Sequence, residues 1–123
     1  MNSNFKNNFF GAKSGLIGKT NSIVNIRNSN FQNNFSLERG GVVFADSTGS
    51  QFYFKESKFL NNYAAFGGVS YSQDFSMVSF ENCSFEQNAA LRGGVAFIGT
   101  QGKSEFINCK LSQNKAFEAS LFF

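Results

Sequence analysis

The stretch FEQNAALRGGVAF, residues 85–97, decides the fold because its pattern recurs throughout the chain. It places a Phe, an Asn three residues later, and then a Gly pair followed by an apolar residue. The copies follow one another at intervals of 26, 28, 26 and 26 residues, a period typical of solenoids and other repeat architectures. The other copies are FKNNFFGAKSGLIG (5–18), FQNNFSLERGGVVF (31–44), FLNNYAAFGGVSY (59–71) and LSQNKAFEASLFF (111–123).

Aligned copies contain columns of similar residues. Gly pairs, Asn-rich bends and many Phe and Val residues favour short strands and turns over helices. Before each later copy, apolar residues two positions apart, such as Val78 and Phe80, predict a half-buried strand. The columns are the anchors Phe31, Phe59 and Phe85; the corner residues Asn34, Asn62 and Asn88; the glycines Gly41, Gly68 and Gly94; the apolar residues Val42, Val69 and Val95; and the aromatic residues Phe44, Tyr71 and Phe97.

The columns predict one all-β domain over residues 1–123, a parallel β-helix of about five turns with three short strands in each turn. Equivalent positions would stack ~4.8 Å apart on successive turns. The Phe column then fills the interior, and the Asn column forms a corner in left-handed backbone and a hydrogen-bonded ladder. The Gly pair allows a bend where a Cβ would clash.

The two terminal copies are degenerate. The Gly pair is replaced by Ser14–Gly15 in the first copy and by Ala119–Ser120 in the last, whereas Leu121 and Phe123 continue the apolar columns. No polar cap is recognisable, and an open solenoid end exposes apolar side chains and unpaired backbone groups. We therefore expect a segment of a larger array or assembly, with both ends covered by further repeats or by another protein subunit.

The combination of a Gly pair with an apolar residue and of F-x-x-N resembles the repeats of polymorphic outer-membrane proteins and related surface proteins of single-celled eukaryotes. The resemblance covers nearly the whole chain. It implies a right-handed β-helix of the pectate-lyase-like type that serves adhesion or surface display, and a location at the cell surface or outside the cell. An intracellular assembly is the alternative. Two features differ from the family: Val follows the Gly pair in all three clear copies, and there is no transporter barrel or leader.

Composition excludes several classes of function. The chain has 18 Phe but no Pro, Trp or His, so the commonest acid–base group and metal ligand are missing, and no cofactor or metal is expected. Its 11 Lys and Arg are scattered at a net charge of +3, which argues against nucleic-acid binding. No apolar stretch approaches the ~18 residues of a membrane helix. The start, MNSNFKNNFF, lacks the features of a signal peptide, so the protein is cytosolic or its leader lies elsewhere.

Asp46 and Asp74 are the candidate catalytic carboxylates, because they fall in similar variable loops of adjacent turns. A glycosidase requires two carboxylates ~5–9.5 Å apart, although loop Asp residues more often form turns. Arg39 and Arg92 precede Gly pairs two turns apart and are predicted to be exposed charges on one face.

Cys83 and Cys109 share a column with two Ser residues of the earlier copies. In-register side chains run parallel, which favours two buried thiols over a disulfide. Ice binding is not expected, because the outward positions of one strand lack a repeated residue. These positions are Asn25, Tyr53, Ser79 and Glu105.

The sequence therefore favours a non-enzymatic structural or adhesive module whose variable loops contact a partner, a protein or alternatively a glycan. The loop residues chosen for that contact are Asp46, Asp74 and Gln101. The alternative is a fragment of a carbohydrate-binding or polysaccharide-degrading β-helix enzyme.

Overall fold

The computed structural model describes residues 4–10, 16–17 and 21–118 and forms a parallel β-solenoid of about four turns. All described strand pairs are parallel, and no helix occurs in these residues. Phe31 pairs with Phe59, and Phe59 pairs with Phe85, so the pairing register follows the repeat period. The predicted fold class is confirmed.

Each complete turn contributes four short strands, one to each of four sheets, whereas the sequence predicted three. The additional strand lies between the Asn column and the Gly pair. Tyr63–Phe66 is an example with four residues. Its residues have few β-branched side chains, and Ala64 and Ala65 occupy its centre, so composition gave little indication of a strand.

The strands are as follows. The first sheet contains β1 (Asn4–Lys6), β5 (Asn30–Gln32), β9 (Lys58–Leu60), β13 (Ser84–Glu86) and β17 (Lys110–Ser112), and the second contains β2 (Phe9–Phe10), β6 (Phe35–Ser36), β10 (Tyr63–Phe66), β14 (Ala89–Arg92) and β18 (Lys115–Ala116). The third sheet contains β3 (Leu16–Ile17), β7 (Val43–Ala45), β11 (Ser70–Ser72) and β15 (Ala96–Ile98), and the fourth contains β4 (Ile23–Arg27), β8 (Gln51–Lys55), β12 (Met77–Glu81) and β16 (Lys103–Ile107).

The interior is built from stacked Phe rings. The anchor Phe59 lies parallel to Phe31 and Phe85, with ring centroids 5.0 and 4.9 Å apart. A second stack rises from the fourth sheet, where the Phe54 and Phe80 centroids are 5.2 Å apart. Rings of the two stacks meet edge to face, the arrangement that the aromatic quadrupole favours. All five side chains are at most 1% exposed.

A continuous ladder of Asn side chains connects the turns at the corner between the first and second sheets. Asn34 Nδ2 donates to Asn62 Oδ1 at 2.9 Å, and Asn62 Nδ2 donates to Asn88 Oδ1 at 3.0 Å. The backbone N–H of Asn62 donates to the same Asn88 oxygen at 2.9 Å. In addition, Asn88 Nδ2 donates to the carbonyl of Phe59, one turn earlier, at 2.9 Å. Each buried Asn thus satisfies backbone groups that the corner would otherwise leave unpaired.

The sequence predicted that the ladder Asn is the left-handed residue of this corner. In the structure the left-handed residue is the one before it. Asn33, Asn61 and Gln87 have φ of 55°, 54° and 55°, while Asn34, Asn62 and Asn88 do not have positive φ. The ladder position must direct its amide inward, whereas the preceding residue makes the bend and points to solvent. The single Asn column predicted from the sequence therefore divides its two roles between adjacent residues.

The Gly pairs form the corner between the second and third sheets. The first residue of each pair is left-handed, with φ of 63° at Gly40 and 72° at Gly67. The second residue packs against the next turn: a Cβ on Gly41 would overlap the carbonyl oxygen of Gly68, and a Cβ on Gly68 would overlap that of Gly94. The predicted steric reason for the Gly column is therefore confirmed at Gly41 and Gly68.

The aromatic column after the Gly pair faces away from the main core. Val43 and Ala45 belong to the core cluster, so Phe44 between them lies on the opposite face of the third sheet. Strand alternation counted from an inward Val42 would place Phe44 in the core, but Val42 and Val43 both belong to the core cluster, so the alternation shifts by one residue at the bend. Phe44 is nevertheless 0% exposed, because the Tyr71 ring and Arg39 cover it.

The substituted Gly pairs at Ser14–Gly15 and Ala119–Ser120, together with Leu121 and Phe123, lie outside the described residues.

Phe80→Ala is expected to lower the free energy of unfolding by about 3–5 kcal/mol, because the ring is fully buried and its stacked neighbours cannot close the hole. Chemical denaturation measures this loss. Phe117→Ala is the control, since Phe117 is 57% exposed and its loss should have a much smaller effect. Equal effects of the two variants would contradict the assigned register.

Asn88→Ala is expected to destabilise the fold by about 1–3 kcal/mol, because Asn62 loses an acceptor and the Phe59 carbonyl loses a donor. Gln87→Ala should be milder. Among the described residues the exposed Gln87 side chain donates to Gln113 alone, and Ala adopts its φ of 55° at a similar cost. Thermal and denaturant unfolding of both variants would show this order, and equal losses would refute the ladder as a stabilising element.

Candidate functional site

The variable loops form a stack of tight turns between the third and fourth sheets. In each turn the fourth residue donates its N–H to the carbonyl of the first, with Ser50 to Ser47 at 2.9 Å and Ser76 to Gln73 at 3.1 Å. Backbone bonds also link successive turns: Phe75 N–H donates to the Gln101 carbonyl at 2.9 Å. We call residues 46–50, 73–76 and 99–102 the turn stack. Each turn of the solenoid thus presents one of these loops, held in place by backbone hydrogen bonds.

The turn stack contains all three predicted contact residues but does not place its two carboxylates at equivalent positions. Asp46 precedes its turn, whereas Asp74 lies inside the next one with φ of 54°. The first of these loops has one extra residue between the strands, which produces the offset. Asp74 and Gln101 are exposed, and Asp46 is half-buried. Asp46 and Asp74 therefore do not stack as a catalytic pair in register.

Phe75 is the residue of this surface that sequence reasoning missed. It has φ of 61° although it is bulky, and its side chain is 61% exposed. A left-handed conformation costs a non-glycine residue roughly 1–2 kcal/mol. The first turn of the stack carries Gly49, with φ of 74°, at this position. An exposed aromatic residue where Gly would be less strained points to a contact role. The signal in the sequence was the alignment of Phe75 with Gly49.

A second surface lies at the corner between the second and third sheets. The Phe44 and Tyr71 rings stack at 5.3 Å, and the Arg39 guanidinium lies over both, 5.7 and 5.2 Å from their centroids. One turn on, Phe66 meets Phe97 edge to face at 5.3 Å. Side chains before the Gly pair thus cover the rings after it, and Phe44 and Tyr71 are only 0% and 7% exposed. We call these five residues the aromatic corner.

Tyr71 is the titratable group of the aromatic corner. Burial raises the pKa of Tyr71; the Arg39 charge opposes that rise, and the carboxylates of Asp74 and Asp46 add to it. Its hydroxyl lies 3.0 Å from Gln73 Oε1, to which it donates. Asp46, Asp74 and Arg39 are therefore each close enough to Tyr71 to influence its charge. The turn stack and the aromatic corner adjoin.

Arg39 and Arg92 occupy the same register two turns apart, as predicted, but their environments differ. Arg92 Nε donates to Glu118 at 3.1 Å, and both side chains are exposed. Arg39 is half-buried and rests on aromatic rings rather than on a carboxylate. The prediction of a plain exposed charge is confirmed for Arg92 and wrong for Arg39. The difference arises because the next turn offers Phe66 instead of an acid.

The outer side of the second sheet carries a group of apolar side chains. Phe35 and Tyr63 stack on it at 5.2 Å. Beside them, Leu37, Leu91 and Phe117 are 55%, 38% and 57% exposed. We call these five residues the apolar face. The apolar face adjoins the aromatic corner, because the strand that begins at Tyr63 of the apolar face ends at Phe66 of the aromatic corner.

Two shallow grooves cross the first sheet and its edge, with cavity volumes of about 240 and 360 Å³. The smaller has Glu86 as its acidic lining residue, and the larger has Glu56. Each groove thus holds one carboxylate where a glycosidase needs a pair.

The two cysteines are free. The Cys83 thiol is buried and donates to the Glu81 carbonyl at 3.3 Å, while Cys109 is partly exposed. Burial raises the pKa of Cys83 to about 11 and also raises that of Cys109. The predicted buried thiol is confirmed for Cys83, and Cys109 is less buried than predicted.

Within residues 4–10, 16–17 and 21–118, no three His, Cys, Asp or Glu side chains are grouped to hold a metal ion. The same residues contain no helix with the length and apolar character needed to cross a membrane.

The chain has no significant match among the models of known protein families, the curated proteins or the solved structures.

Phe75→Gly is expected to stabilise the protein by about 0.5–1 kcal/mol, because Gly adopts the positive φ without strain. Thermal unfolding measures this change. Phe75→Ala is the matched control: it removes the same ring but keeps the strained backbone, so it should not gain stability. A stabilised Ala variant or a destabilised Gly variant would show that strain does not govern this position.

Cys83 is expected to react with a disulfide reagent far more slowly than Cys109 in the folded protein at about pH 8. Burial hides the Cys83 sulfur, and raising its pKa from 9.0 to about 11 lowers its thiolate fraction about 100-fold. The single variants Cys109→Ser and Cys83→Ser each leave one thiol, whose reaction can be followed by absorbance. Equal native rates would contradict the burial of Cys83, whereas rates in denaturant should agree.

Proposed function

We propose that this chain is a non-enzymatic structural or adhesive module, a rigid β-helical support that presents a protein-contact surface. The observation that carries the proposal is Phe75, an exposed aromatic side chain held in a strained backbone conformation at the centre of the turn stack. The equivalent positions of the neighbouring turns carry Gly49 and Gln101, and the other non-glycine residues with positive φ in the described chain are Asn, Asp, Glu or Gln, so an exposed Phe at such a position favours a contact role. Asp74 and Gln101 flank it as polar contact residues.

The rigidity of the support follows from its columns. The repeated Phe, Asn and Gly residues are used for packing, hydrogen bonding and close approach between turns, so the repeat itself requires no catalytic role. Surface exposure, outside the cell or at its boundary, is the location that the resemblance to polymorphic outer-membrane repeats favours. A right-handed, pectate-lyase-like topology belongs to the same proposal.

We also propose that further repeats or another subunit cover the two ends of the solenoid. In the described part of the chain, β17 pairs only with β13, and Leu111 on it is 38% exposed. An uncovered edge of this kind favours addition of another strand. A glycan is the alternative ligand of the outer surface; nucleic acid and membrane insertion are not part of the proposal.

The competing function is a polysaccharide-binding or polysaccharide-degrading enzyme fragment, with Asp46 and Asp74 as its carboxylates. Their different positions in successive turns weigh against it. A reducing-sugar assay over a panel of acidic and neutral polysaccharides distinguishes the two functions. We expect no turnover, and turnover that Asp74→Asn abolishes would overturn the structural proposal.

The contact role is tested by binding of the labelled chain to arrays of immobilised surface proteins and glycans. Phe75→Ala should weaken binding at least about tenfold, because an aromatic anchor contributes a large share of an interface. Ile23→Ala is the control, since Ile23 is 63% exposed but lies on the outer side of the fourth sheet. Equal binding by wild type, Phe75→Ala and Ile23→Ala would refute the turn stack as the contact surface.

A further inference from the structure

We infer that the apolar face and the aromatic corner form a second docking surface, which binds a short segment of a partner protein through apolar side chains and one carboxylate. The inference takes from the proposed function only that the chain is an interaction module. This second surface lies on the outside of the second sheet and of the Gly-pair corner, and it does not include Phe75.

The first support is the uneven distribution of apolar side chains on the outside of the solenoid. The apolar face exposes Leu37 and, two and three turns further on, Leu91 and Phe117, all on or beside the second sheet. The first sheet carries mostly polar residues at its outward positions, such as Lys58 and Glu86. Single exposed apolar residues are ordinary on protein surfaces, but aligned ones on one face mark an interaction site.

The second support is the state of the Arg39 guanidinium. It is half-buried on the Phe44 and Tyr71 rings, and its contacts within the described residues are these two cation–π interactions. Its N–H groups have no hydrogen bond or ion pair there. A guanidinium that lies over aromatic rings and has free N–H groups is available for bidentate binding of a carboxylate.

The charges around Arg39 limit the kind of ligand that can bring a carboxylate to it. Arg92 is already paired with Glu118, and Lys115 lies over the Phe117 ring at 4.8 Å. Asp46 and Asp74 lie on the side of the turn stack, where they would repel a highly acidic ligand. A ligand with one carboxylate next to apolar side chains, approaching from the apolar face, meets Arg39 and avoids both Asp residues. The exposed Glu38 beside Arg39 also disfavours a second acidic group on the ligand.

The size of the surface favours a short segment over a second copy of this chain. Four turns ~4.8 Å apart and two outward positions about 7 Å apart give an area of roughly 300 Å² once side chains are included. A stable dimer buries about 800 Å² on each partner. The apolar face alone is too small for that, but it suits two or three side chains of an extended segment.

The inference is tested by selecting binders from a displayed library of random 12-residue peptides on the 123-residue chain. We expect enriched peptides with apolar or aromatic residues next to one Asp or Glu. A synthetic copy of the best peptide should lose about tenfold in affinity when its acid is replaced by the isosteric amide.

The variants locate the binding. Arg39→Gln and Leu91→Lys should each weaken the peptide at least about tenfold, whereas Arg92→Gln, at the equivalent position two turns on, should not. Ile107→Lys controls for the loss of an exposed apolar residue elsewhere, since Ile107 is 46% exposed on the fourth sheet. Circular dichroism shows that each variant is folded.

Three results would overturn the inference: peptides insensitive to Arg39→Gln and Leu91→Lys, a library that yields no binder, or self-association of the wild type that Leu91→Lys abolishes. The first would leave the proposed function standing if Phe75→Ala weakened those peptides. Polysaccharide turnover would refute the proposed function instead, so the two failures are distinguishable.

Discussion

The Asn ladder between the first and second sheets is the interaction on which the stacking of turns depends. A solenoid corner must bury backbone N–H and carbonyl groups that no strand can pair, and leaving them unpaired costs about 1–3 kcal/mol each. Asn34, Asn62 and Asn88 supply both a donor and an acceptor at one point, at distances of 2.9–3.0 Å. The bonds repeat from turn to turn, so each Asn requires an Asn above and below it. The pairing register of all four sheets follows from that requirement.

The aromatic stacks depend on the register that the ladder sets. Phe31, Phe59 and Phe85 lie face to face only because the turns are held in the same phase. One extra residue in a turn would normally shift that phase. The second turn tolerates two extra residues, since its period is 28 rather than 26 residues, by placing them in loops outside the ladder and the core. In the described turns, the variation in length thus lies in the turn stack and in the segment before the Gly pair, next to both proposed contact surfaces.

The Gly pairs bring side chains of two sheets together on the outside of the solenoid. Because the first Gly is left-handed and the second has no room for a Cβ, the chain turns sharply and brings the end of the second sheet against the outside of the third. Arg39 and Phe66 are therefore carried onto the outward aromatic column. A residue pattern that serves stacking also assembles the aromatic corner, which explains why structural and contact residues lie side by side in the repeat.

The sequence by itself determined the fold class, the period, the buried Phe and Asn columns and the steric need for Gly41 and Gly68, because a repeat exposes any requirement that recurs at fixed spacing. It did not determine which residue of each Asn-containing bend is left-handed, since Asn suits both the ladder and the bend. It also missed the fourth strand, where small residues such as Ala64 carry no strand preference, and the outward direction of Phe44, which a one-residue bend reverses. The role of Arg39 and the separation of Asp46 from Asp74 were decided only by the tertiary structure. Both depend on which side chain the next turn places alongside, and that neighbour is about 26 residues away in the chain.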